Sequence, residues 1–261
     1  MDTITSSDGT PIAFERTGSG PPLLLVHGNA DVPGFWDLAG VRSDFSESHT
    51  VYAMERRVRG RSGDSPDYSL GREAEDVAAV IDSIDKAPTV LGHSAGAVYA
   101  LEAALETDHL HRLILNQPPI AVGRHELDVA GAVAGLEELL ENGEEASAVG
   151  LFLEEVAQLS PDELEEVQAS PVWDEMVEAA PVLPRELRAL SRYRFEEERF
   201  QDLTVPALVL VGRESPPFYR DAAQAVADAL PNGRLGFTPG HTHEPMNTTP
   251  GPFVEQVEAF I

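Results

Sequence analysis

Short apolar runs of strand length alternate with stretches of helical period along most of this chain, and that alternation narrows the possible folds more than any other feature. Residues 22–26, 50–54, 88–91, 112–115, 207–211 and 234–237 read as short strands, and the apolar run of 22–26 is near-continuous. Runs of this kind suit strands covered on both faces, as in a largely parallel sheet with helices between its strands. Helices are predicted over 70–84, where Val77, Val80, Ile81 and Ile84 share a face, and over 95–105, 217–230 and 253–261. Two early segments, 3–6 and 12–17, flank Asp8-Gly9 and read as an antiparallel hairpin. The expected fold class is α/β: a mostly parallel, eight-stranded sheet with helices on both faces.

From about Val122 the alternation stops. Helical, Glu-rich patterns follow through 136–140, 149–159, 162–167 and 173–179, and Pro161, Pro171, Pro181 and Pro184 stand where helices begin or break. The expected organisation is a core made of residues 1–121 and 201–261, with a helical cap inserted as residues 122–200. Apolar residues at helical spacing mark the insert as folded, although it carries 20 acidic against 6 basic residues.

The 261 residues carry 45 acidic and 18 basic side chains, a formal charge of -27, and Lys86 is the sole lysine. A surface so charged repels itself in dilute buffer. In molar salt the screening length shrinks to about 3 Å and most of that repulsion is lost. The composition therefore points to the cytosol of a salt-loving microorganism. It argues against nucleic acid or an anionic membrane as partner, because either needs clustered basic residues. Residues 1–20 are polar and acidic where a secretory signal needs a basic start and an apolar run, so cytoplasmic residence is expected. The absence of Cys removes disulfides, thiolate nucleophiles and Cys-bound zinc. No stretch reaches the roughly 20 apolar residues of a membrane-spanning helix.

The chemistry concentrates in a few places. Gly92-His93-Ser94-Ala95-Gly96 follows the apolar run Thr89-Val90-Leu91 and opens an Ala-rich helix. A serine on such a strand-to-helix turn is held in a strained backbone with its oxygen exposed, and the helix N-terminus favours negative charge beside it. Near the end of the chain, Pro239-Gly240-His241-Thr242-His243-Glu244-Pro245-Met246 offers two histidines as a base. Reading His-x-His with Glu244 as metal ligands is weaker, since no further ligand cluster accompanies it. No metal or cofactor is expected, and the expected partner is a small-molecule substrate.

On these residues the sequence resembles the α/β-hydrolase family, its serine-nucleophile branch with an inserted helical cap, over essentially the whole chain. The resemblance implies Ser94 as nucleophile, His243 as general base, and the backbone N–H groups of Asn29 and Ala95 as oxyanion donors, Asn29 belonging to the His27-Gly28-Asn29 segment. The stretch from Glu55 to Ser62 is similar to the family's Asp-x-Arg-Gly-x-Gly-x-Ser turn, with Glu55 in place of Asp and Val58 in place of Gly. The resemblance puts the triad acid at Ser215 or Gln117, and neither is a carboxylate. Glu214, one position before Ser215, is taken as the acid. Cap residues Phe152, Leu153, Trp173 and Met176 are expected over an apolar pocket. The implied activity is hydrolysis of an ester, lactone or thioester. A ligand-binding protein without catalysis, and a cofactor-free lyase or perhydrolase using the same serine, are the alternatives.

Overall fold

The computed structural model describes residues 2–239 and 243–261. Eight strands form one sheet in the order β1-β2-β4-β3-β5-β6-β7-β8. They are β1 (Asp2–Thr5), β2 (Pro11–Gly18), β3 (Pro22–Val26), β4 (Thr50–Glu55), β5 (Thr89–His93), β6 (Arg112–Asn116), β7 (Ala207–Gly212) and β8 (Gly233–Thr238). The hairpin β1–β2 and the pairing of β2 with β4 are antiparallel; every other neighbour is parallel. Strands β5 and β7 are buried along their whole length, as their unbroken apolar runs require.

The helices are α1 (Val41–Ser46), α2 (Leu70–Ser83), α3 (Ala95–Ala103), α4 (Ala130–Glu141), α5 (Glu145–Leu151), α6 (Pro161–Gln168), α7 (Trp173–Glu178), α8 (Leu183–Arg192), α9 (Pro217–Ala229), α10 (Pro245–Thr248) and α11 (Pro250–Glu258). On one face of the sheet α2, α3 and α9 pack against Leu24, Val90, Leu113 and Val209; on the other, α1 and α11 pack against Leu23, Leu25, Leu91 and Leu210. Helices α4 to α8 lie between β6 and β7 in sequence and share a separate apolar cluster built around Leu136, Val149, Phe152, Met176 and Leu183. The chain of α5 runs on into a π-helical turn, Phe152–Val156. Ser160 and Glu163 cap α6 reciprocally, which explains its start at Pro161.

The short helical layer is fastened to the sheet by charge. Arg56, at the end of β4, is fully buried and donates to both oxygens of Glu73 on α2 (3.0 and 2.6 Å) and to the carbonyl oxygen of Gly28 (2.7 Å). It also donates to Glu186 of α8 at 3.1 Å, and Arg59 donates to the other oxygen of Glu186 at 3.0 Å. Burial pushes the Glu186 carboxyl up, but Arg59 and Arg56 outweigh it and hold the group below the usual carboxylate range. Glu55 closes the same turn by accepting from the Arg61 N–H at 2.5 Å, and Gly60 leaves room for it, since a Cβ there would lie 2.3 Å from Oε2. Val58 holds φ 68°, a left-handed backbone that a glycine would adopt without strain.

Removing one partner from a buried network leaves the others charged and unpaired, which costs about 3–5 kcal/mol. Glu186→Ala is expected to lower the unfolding free energy by that order in denaturant titrations. A change below 1 kcal/mol would show that the insert is held by its apolar contacts instead.

Candidate active site

Ser94 stands at the turn from β5 into α3 with φ 54° and ψ -125°. Its flanking glycines are demanded by close packing. A Cβ on Gly92 would meet the Gly96 carbonyl oxygen at 2.4 Å, and one on Gly96 would meet the carbonyl oxygens of Val26 and His27 at 2.4 and 2.5 Å. The turn therefore presses against the end of β3, and the loop after β3 follows: a Cβ on Gly28 would lie 3.0 Å from Ser94 Cβ. Ala95 is the first residue of α3, so its N–H has no acceptor within the helix. Asn29 and Ala95 line the same cavity as Ser94.

His243, 149 residues away in sequence, places Nε2 3.0 Å from Ser94 Oγ in hydrogen-bonding contact. Its ring lies between those of His93 (5.0 Å) and Tyr219 (5.1 Å). His93 is stacked on Phe35 and accepts at Nδ1 from the Asn116 amide at 2.9 Å, which fixes its ring. Burial lowers the His243 imidazole to about pKa 4, against a weaker opposing pull from Glu163. The ring is thus neutral at physiological pH and can take a proton from the hydroxyl it touches. His241 lies outside the described residues.

The expected acid is not where the sequence reading put it. The Ser215 N–H donates to the Gly212 carbonyl at 3.0 Å, closing a tight turn whose two corner residues, Arg213 and Glu214, face solvent. Glu214 is exposed and its carboxylate makes no hydrogen bond or ion pair with a described residue. Ser215 points inward instead and is 3.1 Å from the Gln117 amide, with Gln117 itself at φ 54°. The two positions that the resemblance reserves for a carboxylate are bonded to one another as hydroxyl and amide. Nδ1 of His243 is enclosed and has no hydrogen-bond partner among the described residues.

Two carboxyls do lie near the site: Asp31, which the sequence reading did not single out, and Glu244, which it weighed only as a metal ligand. Asp31 lines the cavity and accepts from the Gly28 N–H at 2.9 Å; burial raises it to about 7 against the pull of that bond and of Arg56 and Arg59. Glu244 is raised to about 8 by burial and by repulsion from Asp31, opposed by a hydrogen bond from Asn247. Asp31 sits two residues past Asn29, so its nearness was readable, but nothing in the sequence signals its burial. The remaining wall is apolar and includes Pro119, Leu127, Phe152, Leu153, Leu187 and Leu190. Phe152 and Leu153 cover the cavity as expected. Trp173 and Met176 do not: they pack within the helical insert. The cavity is narrow, about 30 Å³, and partly open, sharing Leu127, Val156 and Tyr219 with an adjoining cleft. Among the described residues no group of three or more His, Asp or Glu is placed to hold a metal ion, and no helix is long and apolar enough to cross a membrane.

Residues 23–256 match the model of the alpha/beta hydrolase family, and the chain belongs to that family. An alpha/beta hydrolase from Sphaerobacter thermophilus DSM 20745 is 35% identical and superposes with a TM-score of 0.79 over 97% of this chain and 99% of that one. An esterase from Rhodococcus sp. ECU1013 has the same TM-score at 24% identity, covering 99% and 97% of the two chains. The pimeloyl-[acyl-carrier protein] methyl ester esterase of Nitrosomonas europaea is 26% identical over 95% of this chain and 98% of its own length.

The pH dependence of any reaction that uses His243 follows from its burial. The folded ring binds its proton only near pH 4, whereas the unfolded one does so near 6.5. Ionisation of His243 is expected to give a limb near pH 4, below the titrations of Asp31 near 7 and Glu244 near 8 beside it. Protons taken up by the unfolded chain also make this histidine destabilising as pH drops from 6.5 towards 4. Absence of the limb near pH 4, measured as kcat/KM against pH with the fold followed by circular dichroism, would show a solvated imidazole instead.

Proposed function

We propose that this hydrolase cleaves a small ester, lactone or thioester through an acyl-enzyme on Ser94. The observation that carries the reading is the 3.0 Å contact between Ser94 Oγ and the neutral His243 ring, formed at a turn held at φ 54° and ψ -125°. In this mechanism His243 Nε2 takes the hydroxyl proton as the oxygen attacks the carbonyl carbon. The carbonyl oxygen becomes an oxyanion held by the N–H groups of Asn29 and Ala95, each donor contributing about 10² to 10³ in rate. The proton passes to the departing alcohol, and water, activated by the same imidazole, releases the acid. Glu214 has no part in it, and the pair works without a carboxylate on Nδ1. Loss of that carboxylate lowers turnover by about 10⁴ where a triad normally has one, so a slow enzyme is expected.

Residues 122–200 act as a cap over the serine, fastened by Glu186. The cavity beneath is too small for more than a short acyl group, and a larger substrate requires the cap to shift. The charge of -27 supports a high-salt cytosol as the working environment. A second reading, a ligand-binding protein on a hydrolase fold, is favoured by the neutral Gln117–Ser215 pair.

Hydrolysis of p-nitrophenyl acetate in buffers from dilute to molar KCl separates these readings. Turnover is expected to fall at least about 10³-fold in Ser94→Ala, and activity and thermal midpoint to rise together with salt. Equal rates in variant and parent would remove Ser94 from the mechanism, and a flat salt series would remove the saline reading.

A further inference from the structure

The side chain of Asn29 is oriented by contacts that lead away from the cavity. Its Oδ1 accepts from the Tyr99 hydroxyl at 3.0 Å. The Tyr99 ring lies 4.5 Å beneath the Arg56 guanidinium, which is itself fixed by Glu73 and the Gly28 carbonyl. With Oδ1 engaged by Tyr99, Nδ2 is the end of the amide left without a bond to a described residue. Nδ2 is enclosed and has no partner among the described residues, although Asn29 is 94% shielded and lines the cavity in front of Ser94. Buried donors are paired in the great majority of native sites, so an unpaired one in a reaction chamber marks a place for a ligand acceptor.

We propose that Asn29 Nδ2 is a specificity determinant that donates to an uncharged oxygen on the acyl group, next to the scissile carbonyl, so that the preferred substrates are esters of short acids bearing an ether, hydroxyl or keto oxygen there. The inference rests on Ser94 as nucleophile and on the Asn29 N–H as an oxyanion donor. One residue then meets the carbonyl oxygen with its backbone and the neighbouring substituent with its side chain. A plain alkyl chain leaves Nδ2 unpaired, and a buried polar group left without its partner discriminates strongly against the wrong substrate. The narrow cavity of about 30 Å³ favours a short acyl group. A carboxylate in place of the neutral oxygen is disfavoured, because the chamber wall is largely apolar and no cationic side chain among the described residues lines it.

Two isosteric substrates test this: p-nitrophenyl methoxyacetate and p-nitrophenyl butyrate, which differ by an oxygen in place of a methylene. The ratio of their kcat/KM values, divided by the ratio of their hydroxide-catalysed rates, isolates the contribution of the protein and cancels any loss of folded material. The parent is expected to prefer methoxyacetate on the order of tenfold after this correction. The preference is expected to vanish in Asn29→Leu and to fall below unity in Asn29→Asp, which keeps the oxygen facing Tyr99 and replaces the donor by an acceptor. A corrected ratio near one in the parent, or a preference retained in both variants, overturns the assignment. Turnover of both esters without the preference removes this inference alone, whereas no turnover of either removes the acyl-enzyme reading and this inference with it.

Discussion

Ser94 is held at φ 54° and ψ -125°, a backbone that costs an L-residue on the order of 1–3 kcal/mol and persists only where its surroundings enforce it. The enforcement is visible in the packing. Gly92 and Gly96 let α3 settle against the ends of β5 and β3 with no space for a Cβ, and the Ser94 N–H is tied to the Asn116 carbonyl on β6 at 2.9 Å. Three neighbouring strands and one helix thereby dictate a single direction for the hydroxyl. The loop of Gly28 to Asp31 is packed on the same turn, and the ring stack of Phe35, His93 and His243 is built beside it.

The electrostatics of the site run against the charge of the molecule. Over the whole chain, acidic groups outnumber basic ones by more than two to one. Inside, two arginines and a glutamate lock the insert to the sheet, the two positions expected to hold an acid are neutral, and the carboxyls that are buried, Asp31 and Glu244, are pushed towards their protonated forms. The histidine is pushed the other way, towards its neutral form, by the same loss of water. Desolvation is thus the largest influence on the ionisation of Asp31, Glu244 and His243. The arginine network has a second consequence: Arg56 supports Tyr99, Tyr99 orients Asn29, and Asn29 faces the cavity, so anchoring of the insert and shape of the site share one set of side chains.

Much of the core was legible because its strands are apolar on both faces and its turns carry Gly or Pro where the backbone needs them. Strand 22–26 was readable to the residue, and the Ser94 turn from its place between an apolar run and an Ala-rich helix. Helix α8 was missed. Its apolar positions Leu183, Leu187 and Leu190 are separated by Arg and Glu, and Glu186 reads as a solvated charge until Arg56 and Arg59 are found around it. The π-helical turn at Phe152–Val156 has no sequence signal of its own. Glu214 was misread for a local reason: a carboxylate one residue away in sequence is on the other side of a tight turn in space, and the turn closed by Ser215 and Gly212 was not anticipated. Nor did the sequence reveal that the Asn29 amide is pinned at one end, because Tyr99 lies 70 residues further along.

The central claim is that the hydroxyl at the strained turn is the group that becomes covalently modified, with His243 removing its proton. Reaction of the folded protein with a fluorophosphonate, read by intact mass and by peptide mapping, tests this without any assumption about the natural substrate. One adduct per chain, located on Ser94 and slowed at least about 10³-fold by His243→Ala, is the predicted result. No adduct under conditions where the protein is folded, or an adduct on another residue, would contradict the account.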